Sequence, residues 1–300
     1  PASGHSTMPP VLALSLCTAY VLFLLRLERQ QSRGVSVFTW IPTIWFMSVS
    51  SKPLGIWFGQ TGSNEAGSPL DRMLLVALAG AGLGVMTSRR FQWSVLLRGN
   101  MWLLGLLGYM LLSTFWSDIT MIALRRWSRE AIVVIMVLVV LSESDPGLAL
   151  ESVLRRSAFI LIPYSLLLTK YYTDLGVIYS TWEGKRMWVG VADHKNSLGC
   201  LCVVVAFFLV WALYRRWRGH LPVVRSLEGA AELSVLAIAV FLLLCAAFRS
   251  VRDALSLLDQ AIAHAAGEVR AQDIRQMLGL ADRARIIDLF EALMRGDIAG

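Results

Sequence analysis

Long apolar runs separated by short, arginine-rich polar stretches set the rhythm of the first 250 residues. Eight runs approach the ~20 mainly apolar residues that a hydrocarbon core about 30 Å thick asks of a helix. They lie at about 10–26, 35–51, 71–88, 100–117, 130–143, 156–173, 197–214 and 230–248. Pro42 in the second run predicts a kinked or half-inserted helix there. Beyond Arg249 the pattern changes. Leu255, Leu258 and Ile262, then Ile286, Leu289, Phe290 and Leu293, recur at helical spacing in an otherwise polar chain. This predicts three short amphipathic helices, stopped at Gly267, Gly279 and Gly296, with Asp282 as the N-cap of the third. The expected fold is all-α. A segment 1–9 precedes a polytopic helical membrane domain of about eight transmembrane helices over 10–249, and a short soluble helical tail occupies 250–300.

Composition agrees with the runs: 56% hydrophobic and 16% charged residues, with mean hydropathy +0.59, lie far from a soluble domain. Charge marks the same boundary as the hydropathy. Residues 251–300 hold 6 Lys+Arg against 8 Asp+Glu, which leaves about +9 of balance in the first 250 residues. Cys17, Cys200, Cys202 and Cys245 all fall inside apolar runs, so they read as small lipid-phase residues rather than a disulfide framework or a zinc site. No metal and no cofactor is expected. Neutral residues precede the first run, so it reads as a retained helix rather than a cleaved leader, and the late first methionine, Met8, reads as the mark of a fragment. Gly80, Gly82 and Gly84 include a small-xxx-small spacing and read as a close helix contact.

Arginines give the expected orientation. One set of loops holds Arg26, Arg29, Arg33, Arg89, Arg90, Arg98, Arg155, Arg156, Arg215, Arg216, Arg218 and Arg225, which the positive-inside rule places in the cytoplasm. The opposite loops, around 52–70, 118–129 and 174–196, then face outward, yet they keep Lys52, Arg125, Arg126, Arg129, Lys185, Arg186 and Lys195. Cations held on the disfavoured side point to an anionic ligand. Trp116, Trp127, Trp182 and Trp188 cluster at the same edges, as an interfacial belt does.

The densest polar stretch between two apolar runs is WEGKRMWVGVADHKNSLG, residues 182–199. With GSPLDR at 67–72 and LLSTFWSDITMIALRR at 111–126, it resembles the N-terminal part of the O-antigen ligase and exopolysaccharide polymerase family, over residues 11–248. The resemblance implies a bacterial inner-membrane protein, with 174–196 extracytoplasmic. It would transfer a glycan from a polyprenyl (undecaprenyl) diphosphate donor to a glycan or lipid-core acceptor, with membrane lipid as a further partner. Such chemistry needs cations at a departing diphosphate. Arg126 and Arg186 are the catalytic candidates, and Arg125, Arg129, Lys185 and Lys195 would bind phosphate. His194 would take the acceptor proton, Asn196 would bind substrate, and Trp182 would stack on sugar. A plainer reading makes Asp193 or Asn196 the cap of a helix beginning near Ser197, with His194 merely packing. It also makes Glu183, Lys185 and Arg186 an interfacial ion-pair cluster, and Trp182 and Trp188 lipid-boundary anchors.

Residues 251–299 resemble something else. VRDALSLLDQAIA looks like the sensor-2 helix of the gamma/tau subunit of the bacterial DNA polymerase III clamp loader, and MLGLADRARIIDLFEALMRGD like the start of its following helical domain. By that resemblance Arg252 would sense nucleotide, although the phosphate-binding loop, the acidic magnesium motif and the zinc-binding cysteines of that family are missing. The acidic balance argues against direct nucleic-acid binding. The two resemblances share no mechanism, so the chain reads as a truncated, chimeric membrane glycosyltransferase joined to foreign sequence near Phe248–Val251. The alternatives are a clamp-loader fragment acting as a protein-interaction module, or a membrane transporter without covalent chemistry. Against the transporter, the runs show no acidic or polar residue in mid-span.

Overall fold

A computed structural model describes residues 8–58, 68–89, 99–179, 186–219, 222 and 226–264, the residues beyond Cys245 as backbone only. The chain divides into two units, Pro1–Leu243 and Leu244–Gly300.

The first unit is almost wholly helical. Helix α1 (Pro10–Gln31) is followed by a 3-10 turn, Val37–Thr39, that leads directly into α2 (Trp40–Ser50). The short α3 (Leu54–Trp57) precedes α4 (Pro69–Ser88), whose start is fixed by the Ser68 hydroxyl accepting from the Asp71 amide, with Pro69 in the first turn. Helix α5 (Met101–Ser113) ends in the 3-10 turn Thr114–Trp116, then α6 (Thr120–Leu141) and α7 (Pro146–Tyr171) follow. Asp145 caps α7 by accepting from the Leu148 amide. A four-residue turn of helix, α8 (Thr173–Gly176), opens a small antiparallel ribbon, β1 (Val177–Tyr179) on β2 (Arg186–Trp188), in which Val177 faces Trp188. Helix α9 (Lys195–Arg218) and α10 (Leu227–His264) complete the described chain.

Helix α7 is the hub. It packs on α1, α2, α6 and α9, and its Phe159, Leu161 and Ile162 share a core with Leu24, Leu198, Leu209, Val235 and Leu242. A second packing layer sets α4 against α6, through Val85 and Met86 on Leu138 and Val139. Gly82 permits that approach, since a Cβ there would lie 2.7 Å from Ile135 Cγ2. The expected glycine spacing does not make this contact. Gly80 and Gly84, the pair four apart, face open space, and the residue between them packs.

Among the described residues, five helices are long and apolar enough to cross a membrane: Pro10–Gln31, Pro69–Ser88, Pro146–Tyr171, Lys195–Arg218 and Leu227–Cys245. Val37–Ser50 and Met101–Trp116 are shorter apolar helices. The fifth expected run, at 130–143, is the second half of α6, whose first half carries Arg125, Arg126 and Arg129. Two further expectations change. The run expected from 156 starts at Pro146, because Arg155 and Arg156 lie inside α7 rather than in a loop. No helix end falls at Arg249 either: α10 continues to His264, so the first tail helix is its continuation, and the others lie outside the described residues.

Candidate functional site

Alternating helix directions gather polar residues at the two ends of the helical body. At the first end lie the last turns of α1, the start of α2, the first turns of α7, the last turn of α9 and the first turns of α10. Here a sequence of charged residues becomes a buried network. Arg156 donates through Nε to Glu28 at 2.9 Å and through a terminal nitrogen to the Thr39 hydroxyl at 2.9 Å, with its guanidinium 4.8 Å from the Trp40 ring centre. The Ser152 hydroxyl donates to the other Glu28 oxygen at 2.6 Å. Next to it, Arg155 donates to Glu232 at 3.1 Å and lies 3.7 Å from Glu151. Arg215 grips Glu151 with both terminal nitrogens, and Arg216 donates to Glu228 at 3.0 Å.

Glu28, Glu151, Ser152, Arg155, Arg156 and Glu232 are all buried. These groups lie at or just beyond the ends of the expected apolar runs, not in their mid-spans. Four arginines meet four glutamates, so the cluster is neutral overall. Breaking such a pair leaves an uncompensated buried charge, at a cost of about 3–5 kcal/mol. A smaller cluster at the same end joins Arg89 to Glu143 at 2.6 Å, with Ser36 and Ser142 as further acceptors from the guanidinium.

The opposite end is organised by Lys52, in the corner between α2 and α3. Its ammonium donates to the carbonyls of Leu175 and, at 2.9 Å, Gly190, and its backbone N–H donates to the Val191 carbonyl at 2.8 Å. Gly190 has φ 55, and a Cβ there would lie 2.8 Å from the Ser165 Cβ, so glycine is required both by conformation and by space. Burial pushes the Lys52 ammonium below its ordinary range, and Asp193 opposes this in part. The Asp71 carboxylate accepts from the Leu54 amide at 2.8 Å and from the Ser68 hydroxyl at 2.7 Å, which ties GSPLDR to the same corner. Beside it, α1, α2, α4 and α7 line an apolar cavity of about 480 Å³, with Tyr164 and Tyr172 in its wall.

The residues predicted from sequence fall on separate elements. Arg125, Arg126 and Arg129 are exposed on the first half of α6, beside α5. Arg186, on β2, donates to the Thr169 carbonyl at 3.4 Å. His194, Lys195 and Asn196 are exposed at the start of α9, where His194 occupies the N-cap position with no side-chain capping bond. Neither Asp193 nor Asn196 therefore caps that helix, and Asp193 instead lies 3.4 Å from His194 Nε2. Trp182 and Lys185 lie outside the described residues, as does the side chain of Arg252. Sequence reading missed the Lys52 corner and the Glu28–Arg156 and Arg155–Glu232 pairs. The visible signal was each charged residue inside or beside an apolar run, with no mark of its distant partner.

Fold and polar ends together define a mainly helical body with apolar outer faces and charges paired inside, its last helix, α10, running on past Cys245. Comparison with known families places the remainder. Residues 230–267 match the family described as DNA polymerase III clamp loader subunit, ATPase lid domain, and residues 269–300 match DNA polymerase III subunits gamma and tau domain III. No curated protein and no solved structure matches the chain. These findings support the clamp-loader resemblance and start it at residue 230, inside the last apolar run rather than at 251. They overturn the reading of the chain as a membrane glycan ligase or polymerase, together with its polyprenyl diphosphate donor and glycan acceptor, since the domains found belong to DNA replication. That reading rested on three short motifs lying in and beside the loops between apolar runs.

Proposed function

We propose that residues 244–300, the larger part of the matched stretch, act as a protein-interaction module of the clamp-loader gamma/tau type, and that residues 10–243 form a membrane-embedded helical body. The observation that supports the module is the succession of two adjacent matches, lid at 230–267 and domain III at 269–300, in one direction and with a single residue between them. Its partners on this reading are other clamp-loader subunits. The 300 residues contain no GxxxxGK[ST] loop to cradle a nucleotide triphosphate, so the module's role is binding rather than ATP hydrolysis. The membrane reading is supported by five sufficiently long apolar helices and by large apolar side chains on their outer faces, such as Val11, Leu22, Val76, Phe207 and Trp217.

The arginine rule puts the Arg155, Arg215 and Arg216 end in the cytoplasm and residues 174–196 outside. The interaction is tested with purified components: full-length protein in detergent, offered purified clamp-loader subunits, retains them, while a chain ending at Leu243, which keeps Glu232 and the core residues of α10, does not. Equal retention by both rejects the module.

A further inference from the structure

Helix α5 and the first half of α6 differ from the rest of the body. No residue of α5 is buried, and Trp102 near its start and Trp116 after its end are 94% and 66% exposed. Its 13 residues rise about 20 Å and the following 3-10 turn adds about 6 Å, near the ~30 Å of a hydrocarbon core. A wholly apolar, unburied helix with a tryptophan at each end fits lipid with an interfacial belt at both edges. The Trp127 indole donates to the Leu107 carbonyl at 3.0 Å and holds α6 against this helix.

Arg125 and Arg129 lie one turn apart on the outer face of α6, with Arg126 at their edge and exposed Met121 and Ile122 one turn earlier. Like charges four apart repel, and among the described residues no carboxylate pairs with any of the three. The neighbouring acids, Asp118 and Glu130, make no ion pair with them among the described residues. Arg125 and Arg126 lie about 8 and 9 Å from the beginning of α6, depths from which a guanidinium extends back to the phosphate level while its stem stays in the apolar phase, and Arg129, one turn further along at about 14 Å, adds its charge to the same face.

We propose that Arg125, Arg126 and Arg129 form a binding site for the headgroup phosphates of anionic phospholipids at the membrane edge marked by Trp116. The site rests on the membrane reading of residues 10–243. Bidentate guanidinium–phosphate contacts supply the attraction, and the exposed Met121 and Ile122 supply apolar contact beside it.

The test incorporates full-length protein, wild type and the combined Arg125→Gln, Arg126→Gln, Arg129→Gln variant, into vesicles of phosphatidylcholine with and without phosphatidylglycerol. Lipids retained after detergent extraction are then quantified. Each cation at an anionic surface is worth roughly fivefold in partition. Wild type is expected to retain phosphatidylglycerol over phosphatidylcholine by at least tenfold, falling toward unity in the variant and at high salt. The combined Arg125→Lys, Arg126→Lys, Arg129→Lys variant, which keeps the charges but not the bidentate fork, restores only part of the preference. Equal retention by wild type and the Gln variant overturns the site while leaving the membrane reading intact, as does release of the lipid by inorganic phosphate or preference for an acidic protein over the lipid. Failure to enter vesicles of either composition overturns both.

Discussion

Arginine behaves in two ways in this molecule. At the α1–α7–α9–α10 end, Arg155, Arg156 and Arg216 are sequestered, each opposite a glutamate from another helix. On α6, Arg125, Arg126 and Arg129 are exposed and unpaired among the described residues. Both groups stand beside apolar runs and look alike in sequence. Packing separates them, because a guanidinium inside a helical core needs a carboxylate at hydrogen-bond distance, whereas one on an outer face can reach solvent or a headgroup. The first kind holds helices together, and the second is available to a ligand.

The largest way to break this contrast is at the buried end. Glu28→Ala leaves Arg156 without its carboxylate and Ser152 without its acceptor, and should cost about 3–5 kcal/mol, read by chemical denaturation in detergent. Replacing Glu28 and Arg156 together by apolar residues should recover much of that loss. Arg125→Ala on the same scale should stay within about 0.5 kcal/mol, and a cost as large as that of Glu28→Ala would erase the distinction.

Glycines provide a smaller test of the same kind. Gly190→Ala places a Cβ at positive φ and 2.8 Å from Ser165, and should destabilise by about 1–3 kcal/mol. Gly84→Ala meets open space within α4 and should be neutral or stabilising by roughly 0.5–1 kcal/mol. Thermal melting of the two variants checks this contrast between a crowded and an open glycine.

The smallest effect concerns pH. Burial lowers the Lys52 ammonium below its ordinary value of 10.5, so the unfolded chain binds this proton more tightly than the folded one. Its contribution to stability is therefore fully present above 10.5 and is lost as pH falls through the depressed value. Unfolding followed across alkaline pH should show stability rising with pH in that window, and Lys52→Met should flatten the slope.

Much of the fold was legible. The apolar runs mark α1, α2, α4, α5, α7, α9 and the first part of α10, and the Leu255, Leu258 and Ile262 spacing falls in the continuing helix. The tail's resemblance to the clamp-loader subunit was legible in VRDALSLLDQAIA, which lies inside the family match at 230–267. Helix limits were less legible where charges sit inside a helix. Arg155 and Arg156 resemble loop residues until Glu232 and Glu28, 77 and 128 positions away, are seen against them. The cap expected from Asp193 or Asn196 failed because an N-cap bond depends on side-chain direction, which composition does not encode. Lys52 was grouped with outward cations, whereas the carbonyls that receive it come from Leu175 and Gly190, which no pattern in residues 51–58 announces.

The two guanidiniums of α7 also differ in when their partners exist during synthesis. Glu28 has left the ribosome long before Arg156, whereas Glu232 is made 77 residues after Arg155, roughly 4–15 s later at ordinary elongation rates. Through that interval Glu151, one turn earlier on the same helix, is the neighbouring carboxylate available to Arg155, so the nascent hub can begin assembly half-neutralised and finish only when α10 arrives.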